Sequence, residues 1–363
     1  MRLAIIGTRG VPANYGGFET FAEQFGRRMV ERGHQVTVYG RTTSVPATIT
    51  EHAGMRVVRL PAPRSKYLET VVHTLFSALH LAVRRVDIVY VCNSANVPAV
   101  IVLLLARKRV VLNVDGLEWR RAKWNAIGRA YYRLCAWTAA HLPVEVVTDA
   151  RVIQKHYSDA YGRKTEYFPY GTDLEPLPDG GTLDRLGLRA GEYLLYVSRL
   201  EPENNAHVVI DAYSKVETAV PLVIVGDAPY ASDYIASLHA TNDPRVMFTG
   251  AIYGDGYRVL RSHATAYIQA TEVGGTHPAL IEAMGYGNAI LANDVPEHRE
   301  VLGDAGWYYV GPDELADRLR AILADDEARA RLAGAARDRA ARLYAWDAVT
   351  DAYEEWLQGL LSG

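Results

Sequence analysis

Short apolar runs alternate with amphipathic stretches through both halves of the chain, the pattern of parallel strands joined by crossover helices. In the first half, residues 3–6, 35–39, 56–60, 88–91, 110–114 and 144–147 read as strands. Between the first two, Phe18, Phe21, Ala22, Phe25 and Met29 recur on one helical face, and Gly33 follows as a stop signal. A second set of strands is expected at 193–197, 222–225, 246–248, 266–268 and 289–291. Between the sets, "YGTDLEPLPDGGTLDRLGLRAGE" is rich in Gly, Pro and Asp and reads as a linker. After residue 310 the chain turns to helices, and Val349, Tyr353, Trp356, Leu357 and Leu360 mark an amphipathic terminal one. No solenoid period is evident, so the pattern describes two similar α/β layers.

A chain of 363 residues suits roughly two domains, and 49% hydrophobic with 22% charged residues is ordinary for a soluble protein. The net charge of -3 hides a basic stretch in which Arg107, Lys108, Arg109, Arg120, Arg121, Lys123, Arg129 and Arg133 face only Asp115 and Glu118. Attraction to an anionic partner is therefore local to the first half. Cys92 and Cys135 are too few for a disulfide framework, which points to a reducing, cytoplasmic compartment. The opening "MRLAIIGTRG" reads as a first strand rather than a secretory peptide, and the longest apolar run, 97–106, is about half of a membrane span. Membrane contact is expected at most at the inner surface.

Candidate chemistry begins at "EVGGTHPALIEAMGYGNAILAN", residues 272–293. Pro278 reads as a helix start, which leaves the N–H groups of Ala279 and Leu280 without intrahelical partners at the positive end of the dipole. Gly274 and Gly275 let a ligand approach the backbone, as phosphate-binding loops require. The first strand is followed by "GTRGVPANYGGFET". It lacks the G-x-G-x-x-G of a dinucleotide site, although Arg41 at the end of the second strand keeps an NADP reading open. The pair Gly16-Gly17 delivers a second anion-binding helix start. Arg199, directly after a strand, is placed to pair with phosphate oxygens or, alternatively, with Glu201. Two such starts suggest a diphosphate in a cleft between the domains.

Taken with "VSRLEPENN", "VGDAPY" and the terminal "YAWDAVTDAYEEW", these motifs resemble a retaining glycosyltransferase of family 4 with the two-domain GT-B architecture. "IIGTRGVPANYGGFETFAEQ" and "NVDGLEWRRAKW" further resemble the subgroup containing bacterial rhamnosyltransferases. The resemblance implies two Rossmann-like α/β domains, 1–172 for the acceptor and 173–345 for the nucleotide sugar. It also implies a terminal helix, 346–363, returning to the first domain. Glu282 matches the second Glu of the family's E-x7-E motif, which binds the donor ribose. Arg199 and Gly16-Gly17 match the diphosphate contacts, and Gly274 to His277 with Thr276 form the cradle over donor sugar and diphosphate. Three positions depart from the family: Gly274 stands where the first Glu is usual, Asn204 replaces a Lys, and Asp115 replaces a His.

The family mechanism implies front-face transfer with retention, in which Arg199 and the helix starts stabilise the leaving diphosphate. No cofactor or divalent metal is then required. Asp115 is the polar candidate nearest the reacting centre. Glu118, Trp119, Arg120 and Lys123, in a basic and aromatic stretch, are the acceptor candidates, suited to a saccharide or a polyprenyl-diphosphate-linked acceptor and to a peripheral membrane contact. Nucleic acid would demand a larger basic surface. A natural-product glycosyltransferase, a sugar-nucleotide isomerase and an idle nucleotide-sugar binder remain as alternatives.

Overall fold

A computed structural model describes residues 1–65, 68–114, 116–121, 124–228, 231–272 and 274–362. The chain forms two compact units. The first contains β1 (Arg2–Ile6), α1 (Gly17–Glu31), β2 (Gln35–Arg41), β3 (Glu51–His52), β4 (Met55–Leu60), α2 (Glu69–Ala82), β5 (Ile88–Cys92), α3 (Val97–Leu105), β6 (Val110–Val114), α4 (Ala126–His141), β7 (Glu145–Thr148), α5 (Arg151–Tyr161) and β8 (Glu166–Tyr167). The second contains α6 (Thr182–Leu186), β9 (Leu194–Val197), α7 (Ala206–Ser214), β10 (Leu222–Val225), α8 (Ser232–His239), β11 (Val246–Gly250), α9 (Gly254–Ser262), β12 (Ala266–Gln269), α10 (Pro278–Gly285), β13 (Ala289–Asn293), α11 (Pro296–Leu302), β14 (Trp307–Tyr309), α12 (Gly311–Ala324) and α13 (Asp326–Leu343). The last helix, α14 (Trp346–Ser362), belongs again to the first unit.

The first sheet has the order β3-β4-β2-β1-β5-β6-β7-β8 and is parallel except for the β3–β4 pair. Apart from Arg2 at the start of β1, its central strands β1, β5 and β6 are buried, as a parallel sheet covered on both faces requires. Val89 and Val91 of β5 join a core with Ala78 and Leu81 of α2, Val100 and Leu103 of α3, and Ala136 and Ala139 of α4. Tyr90, between them, points the other way, since side chains alternate along a strand. There it stacks on Phe21 of α1, and its hydroxyl meets that of Tyr353 in α14 at 2.9 Å. Phe25 and Phe168 close over Tyr353, with centroids at 4.9 and 4.1 Å. Polar ties flank this contact: Asp351 meets Arg32 at 2.6 Å, and Glu354 meets His34 at 2.6 Å.

The second sheet, β11-β10-β9-β12-β13-β14, is parallel throughout. In each sheet the strand order reverses beside one strand: β1 lies between β2 and β5, and β9 between β10 and β12. Loops leaving the carboxyl ends of such neighbouring strands diverge and open a crevice.

Three strands were not legible in the pattern. β3 and β8 are two residues long, and β14 is an edge strand of three. The boundary between units falls after Tyr170, not after residue 172. The expected linker is mostly folded into unit 2. Asp179 Oδ1 accepts the N–H groups of Thr182 and Leu183 at 2.7 and 3.2 Å to start α6, and Leu183 and Leu188 are buried. Thr172 forms a β-bridge with Ala345, so the two chain crossings of unit 2 lie side by side.

Candidate functional site

In unit 2 the two divergent loops are those after β9 and β12, and they carry most of the donor candidates. Arg199 follows β9, and its guanidinium lies 3.7 Å from Glu201 with the side chain partly exposed. Its carbonyl accepts Asn204 Nδ2 at 2.6 Å, while Tyr196 Oη donates to the Asn204 carbonyl at 2.6 Å. Asn204 is itself buried. The structure therefore gives Asn204, which stands where the family has a Lys, a positioning part in holding the Arg199 loop. Gly226, after β10, completes the fit: a Cβ there would stand 1.8 Å from the Ser198 carbonyl oxygen.

The loop after β12 delivers Gly274 and Gly275 into buried positions and ends at α10, with Pro278 at its first turn as expected. The N–H groups of Gly274, Gly275 and Ala279 form no hydrogen bond among the described residues. Leu280 differs from the expectation: its N–H donates to the His277 carbonyl at 3.0 Å, a tight first turn, and is not a ligand donor. Buried amides seldom stay unpaired, and several converging on a helix start make an anion-binding concavity. At position 274 a Cβ would lie 2.6 Å from His277 Cε1, so a side chain there would require the His277 ring to move. The absence of the first acid of the motif thus has a steric companion in His277. Glu272 is exposed, tied through Oε1 to Asn205 Nδ2 at 2.8 Å.

His277 packs edge-on against His298, centroids 4.9 Å apart. His298 is buried with Nδ1 3.0 Å from the Asn293 carbonyl and Nε2 3.2 Å from Gln269 Nε2. A carbonyl can only accept and an amide N–H only donate, so this network assigns the Nδ1–H tautomer. Burial pushes its pKa down to about 4, so the ring is neutral. Tyr267 Oη donates to Gln269 Oε1 at 3.1 Å and extends the chain to β12.

Glu282, one turn into α10, has a partner the sequence did not reveal. Its Oε2 receives the buried Arg261 guanidinium and, at 3.3 Å, the Tyr257 hydroxyl, both from α9. Arg261 in turn lies 3.5 Å over the Tyr257 ring. Burial raises the Glu282 pKa and the Arg261 charge opposes that rise. Glu282 Oε1 accepts nothing among the described residues and is the oxygen left for a ligand. The i,i+4 spacing of Tyr257 and Arg261 is the signal that could have found this pair of supports.

In unit 1, Gly16 caps α1 and Gly17 opens it. The Arg9 N–H donates to Glu19 Oε1 at 2.7 Å, folding the first loop onto the helix start. Arg9 also pairs with Glu69 at 3.2 Å, and Arg41 meets the same carboxylate at 3.0 Å. Arg41, the residue that kept an NADP reading open, is thus buried in an ion pair. Asp115 and Lys123 lie outside the described residues. Glu118 is buried against Arg121 Nε at 2.7 Å, whereas Arg120 is exposed and Trp119 packs near His156.

Residues 188–339 match the family described as Glycosyl transferases group 1, and residues 1–173 match a domain of unknown function, DUF1972. A phosphatidyl-myo-inositol mannosyltransferase of Mycobacterium tuberculosis is 30% identical over 205 residues, 53% of either chain. The chain thus spans about half the length of the curated relatives it matches. Sucrose-phosphate synthase of Thermosynechococcus elongatus shares the fold with a TM-score of 0.83 at 18% identity, covering 99% of both chains. Anabaena HepE in complex with UDP-glucose does so with a TM-score of 0.80 at 18% identity, covering 99% of this chain and 100% of that one. The fold, two parallel-sheet α/β domains, is that of these GT-B structures.

Proposed function

We propose that the chain moves a sugar from a nucleoside diphosphate to a saccharide or lipid-linked acceptor in bacterial glycan assembly. One observation carries this reading: the N–H groups of Gly274, Gly275 and Ala279, unpaired among the described residues, open beside the Arg199 loop, at the crevice of the sheet in unit 2. This combination suits a diphosphate, because fixed amide dipoles and a guanidinium stabilise negative charge without reorganising. The match to Glycosyl transferases group 1 spans these residues, and a solved relative in fold holds UDP-glucose.

In the step proposed, the bond from the anomeric carbon to the diphosphate oxygen breaks and one to the acceptor hydroxyl oxygen forms. The hydroxyl proton passes to the departing diphosphate. Arg199 and the loop amides stabilise that leaving group, and Glu282 Oε1 takes the ribose hydroxyls. Retention at the anomeric carbon, rhamnose as the sugar, independence of metal and a role for Asp115 are the finer parts of the proposal. Calorimetry with UDP, dTDP, GDP, ADP and NADP, with and without EDTA, is the test. One nucleoside diphosphate should bind regardless of EDTA, and Arg199→Ala should lower turnover about a hundredfold, the usual cost of losing one charge-stabilising donor. Binding of NADP alone would overturn the reading.

A further inference from the structure

The amino ends of the strands in unit 1, remote from the Gly16 loop, border a cavity that no part of the donor site uses. Side chains alternate along a strand, so Gln35, Thr37 and Tyr39 of β2 share one face, and so do Arg56 and Val58 of β4. The registers set these rows side by side, with Arg2 against Gln35 and Thr37 against Arg56. Helix α2 covers that face. Ala4 and Tyr39 join one core with its Ala78 and Leu81, and Tyr39 Oη lies 2.8 Å from His80 Nδ1. The helix ends at Ala82, and Arg84, Arg85 and Val86 lead into β5. Between the end of the helix and the starts of the strands lies a cavity of about 400 Å³.

The lining of this cavity contains Arg2, Arg56, Arg84 and Arg85 and, among the described residues, no carboxylate. Arg2 is answered by Asp87, which accepts its Nε and Nη2 at 3.2 and 2.5 Å. Arg84 and Arg85 form no ion pair among the described residues, and Arg56 has only the exposed Glu51 opposite it in the β3–β4 ladder. Lys108 adds to the excess, donating its ammonium to the Arg84 carbonyl at 2.6 Å. The field reaches both rings. Burial, with the charges of Arg84 and Arg56, holds the His80 pKa below its ordinary value. Burial pushes the Tyr39 hydroxyl up to about 12, against the pull of the same two charges. Like charges around one cavity repel, and a bound anion removes that cost. Arginine forks match phosphate oxygens in pairs, and Val58, Leu81 and Val86 add an apolar wall. The space is that of a small-molecule site rather than of a lone ion.

We propose that this cavity binds a small soluble phosphate ester, with Arg84 and Arg85 taking the phosphate, Arg56 adding the third positive charge and the apolar wall meeting the organic body. The floor is the sheet itself, at Ala4, Thr37 and Tyr39, so the ligand enters between the end of α2 and the strands rather than lying across the helix surface. This is a second ligand site, at the strand ends opposite the Gly16 loop, and it stands whether or not unit 2 transfers a sugar.

Proton NMR of the His80 ring in the full chain, assigned by its loss in His80→Gln, tests the proposal. Glucose 6-phosphate, ribose 5-phosphate and α-glycerophosphate are titrated in turn at about 0.15 M salt, with sulfate as the control for screening. At least one ester should shift the resonance saturably and raise the pH at which His80 titrates, because a bound dianion offsets Arg84 and Arg56. Arg84→Gln/Arg85→Gln should weaken that response about tenfold or more, and Arg56→Gln, on a different element, should act in the same direction. Unchanged circular dichroism and urea midpoint would show that the variants fold. Arg199→Ala should leave the response intact, which keeps this result apart from that of the donor site. No saturable shift with any ester, an equal response to sulfate, or an unchanged response in the arginine variants would overturn the proposal. So would a shift given by phosphatidylglycerol vesicles and by none of the soluble esters, since it would assign the cavity to a lipid headgroup.

Discussion

Glu282 has two duties that a single exchange to Ala would confuse. Its Oε2 neutralises a buried guanidinium, and its Oε1 is the group offered to the ligand. Glu282→Ala should therefore cost unit 2 about 3–5 kcal/mol in urea unfolding, the usual result of leaving a buried charge alone. Glu282→Gln retains an acceptor for Arg261 and should lose less stability while donor affinity falls by about 1–3 kcal/mol. Equal losses of stability in both variants would contradict the division of labour. Histidine sets a second prediction at this scale. Burial holds both His298 in unit 2 and His73 in unit 1 down to about 4, with Arg41 adding to the effect on His73. Above pH 6.5 the ring is neutral in folded and unfolded chains alike. Below it the unfolded chain takes up protons that the folded chain refuses, so stability falls as pH drops from about 6.5 to 4, by up to about 3 kcal/mol for each ring. Urea midpoints across that window should show the slope, and His298→Gln should flatten it for unit 2.

At the scale of elements, the loop after β9 is shaped by a contact that no helix or strand pattern contains. Gly226 has φ +151°, and its α-carbon faces the Ser198 carbonyl so closely that no Cβ fits. Gly226→Ala should displace the Arg199 loop, costing about 2 kcal/mol or more of stability and weakening donor binding in calorimetry. Unaltered affinity would mean that the loop's placement does not matter. This is also where reading from sequence reached its limit. All strands but β3, β8 and β14, the α10 start at Pro278 and the Gly16-Gly17 cap of α1 were legible, because apolar runs and Pro or Gly act within a few residues. The Arg261–Glu282 pair, the Asn204 clamp and the His277 ring against Gly274 were not, because packing of α9 on α10 and the folding back of loops make them. The supposed linker failed for a related reason: its polar composition concealed Leu183 and Leu188, whose burial depends on the rest of unit 2.

The molecule as a whole divides into two units, and in the first the sheet face that carries Tyr90 is covered by α1 and α14, helices far apart along the chain. Tyr353 of α14 fills the space between Phe25 and Phe168 and shares a hydroxyl contact with Tyr90. Tyr353→Ala should cost unit 1 about 3–5 kcal/mol in urea unfolding, in line with removal of a buried aromatic ring. The transition of unit 2 should stay in place, and a shift common to both units would show that they unfold as one. Because α14 completes unit 1, the ribosome releases this core in an unusual order. Unit 1 is begun first, yet roughly ten to thirty seconds of elongation through unit 2 must pass before its last helix emerges. Over that interval the nascent chain presents Phe21, Phe25 and Tyr90 without their cover, and a chaperone that recognises aromatic surface would find its substrate there rather than in unit 2.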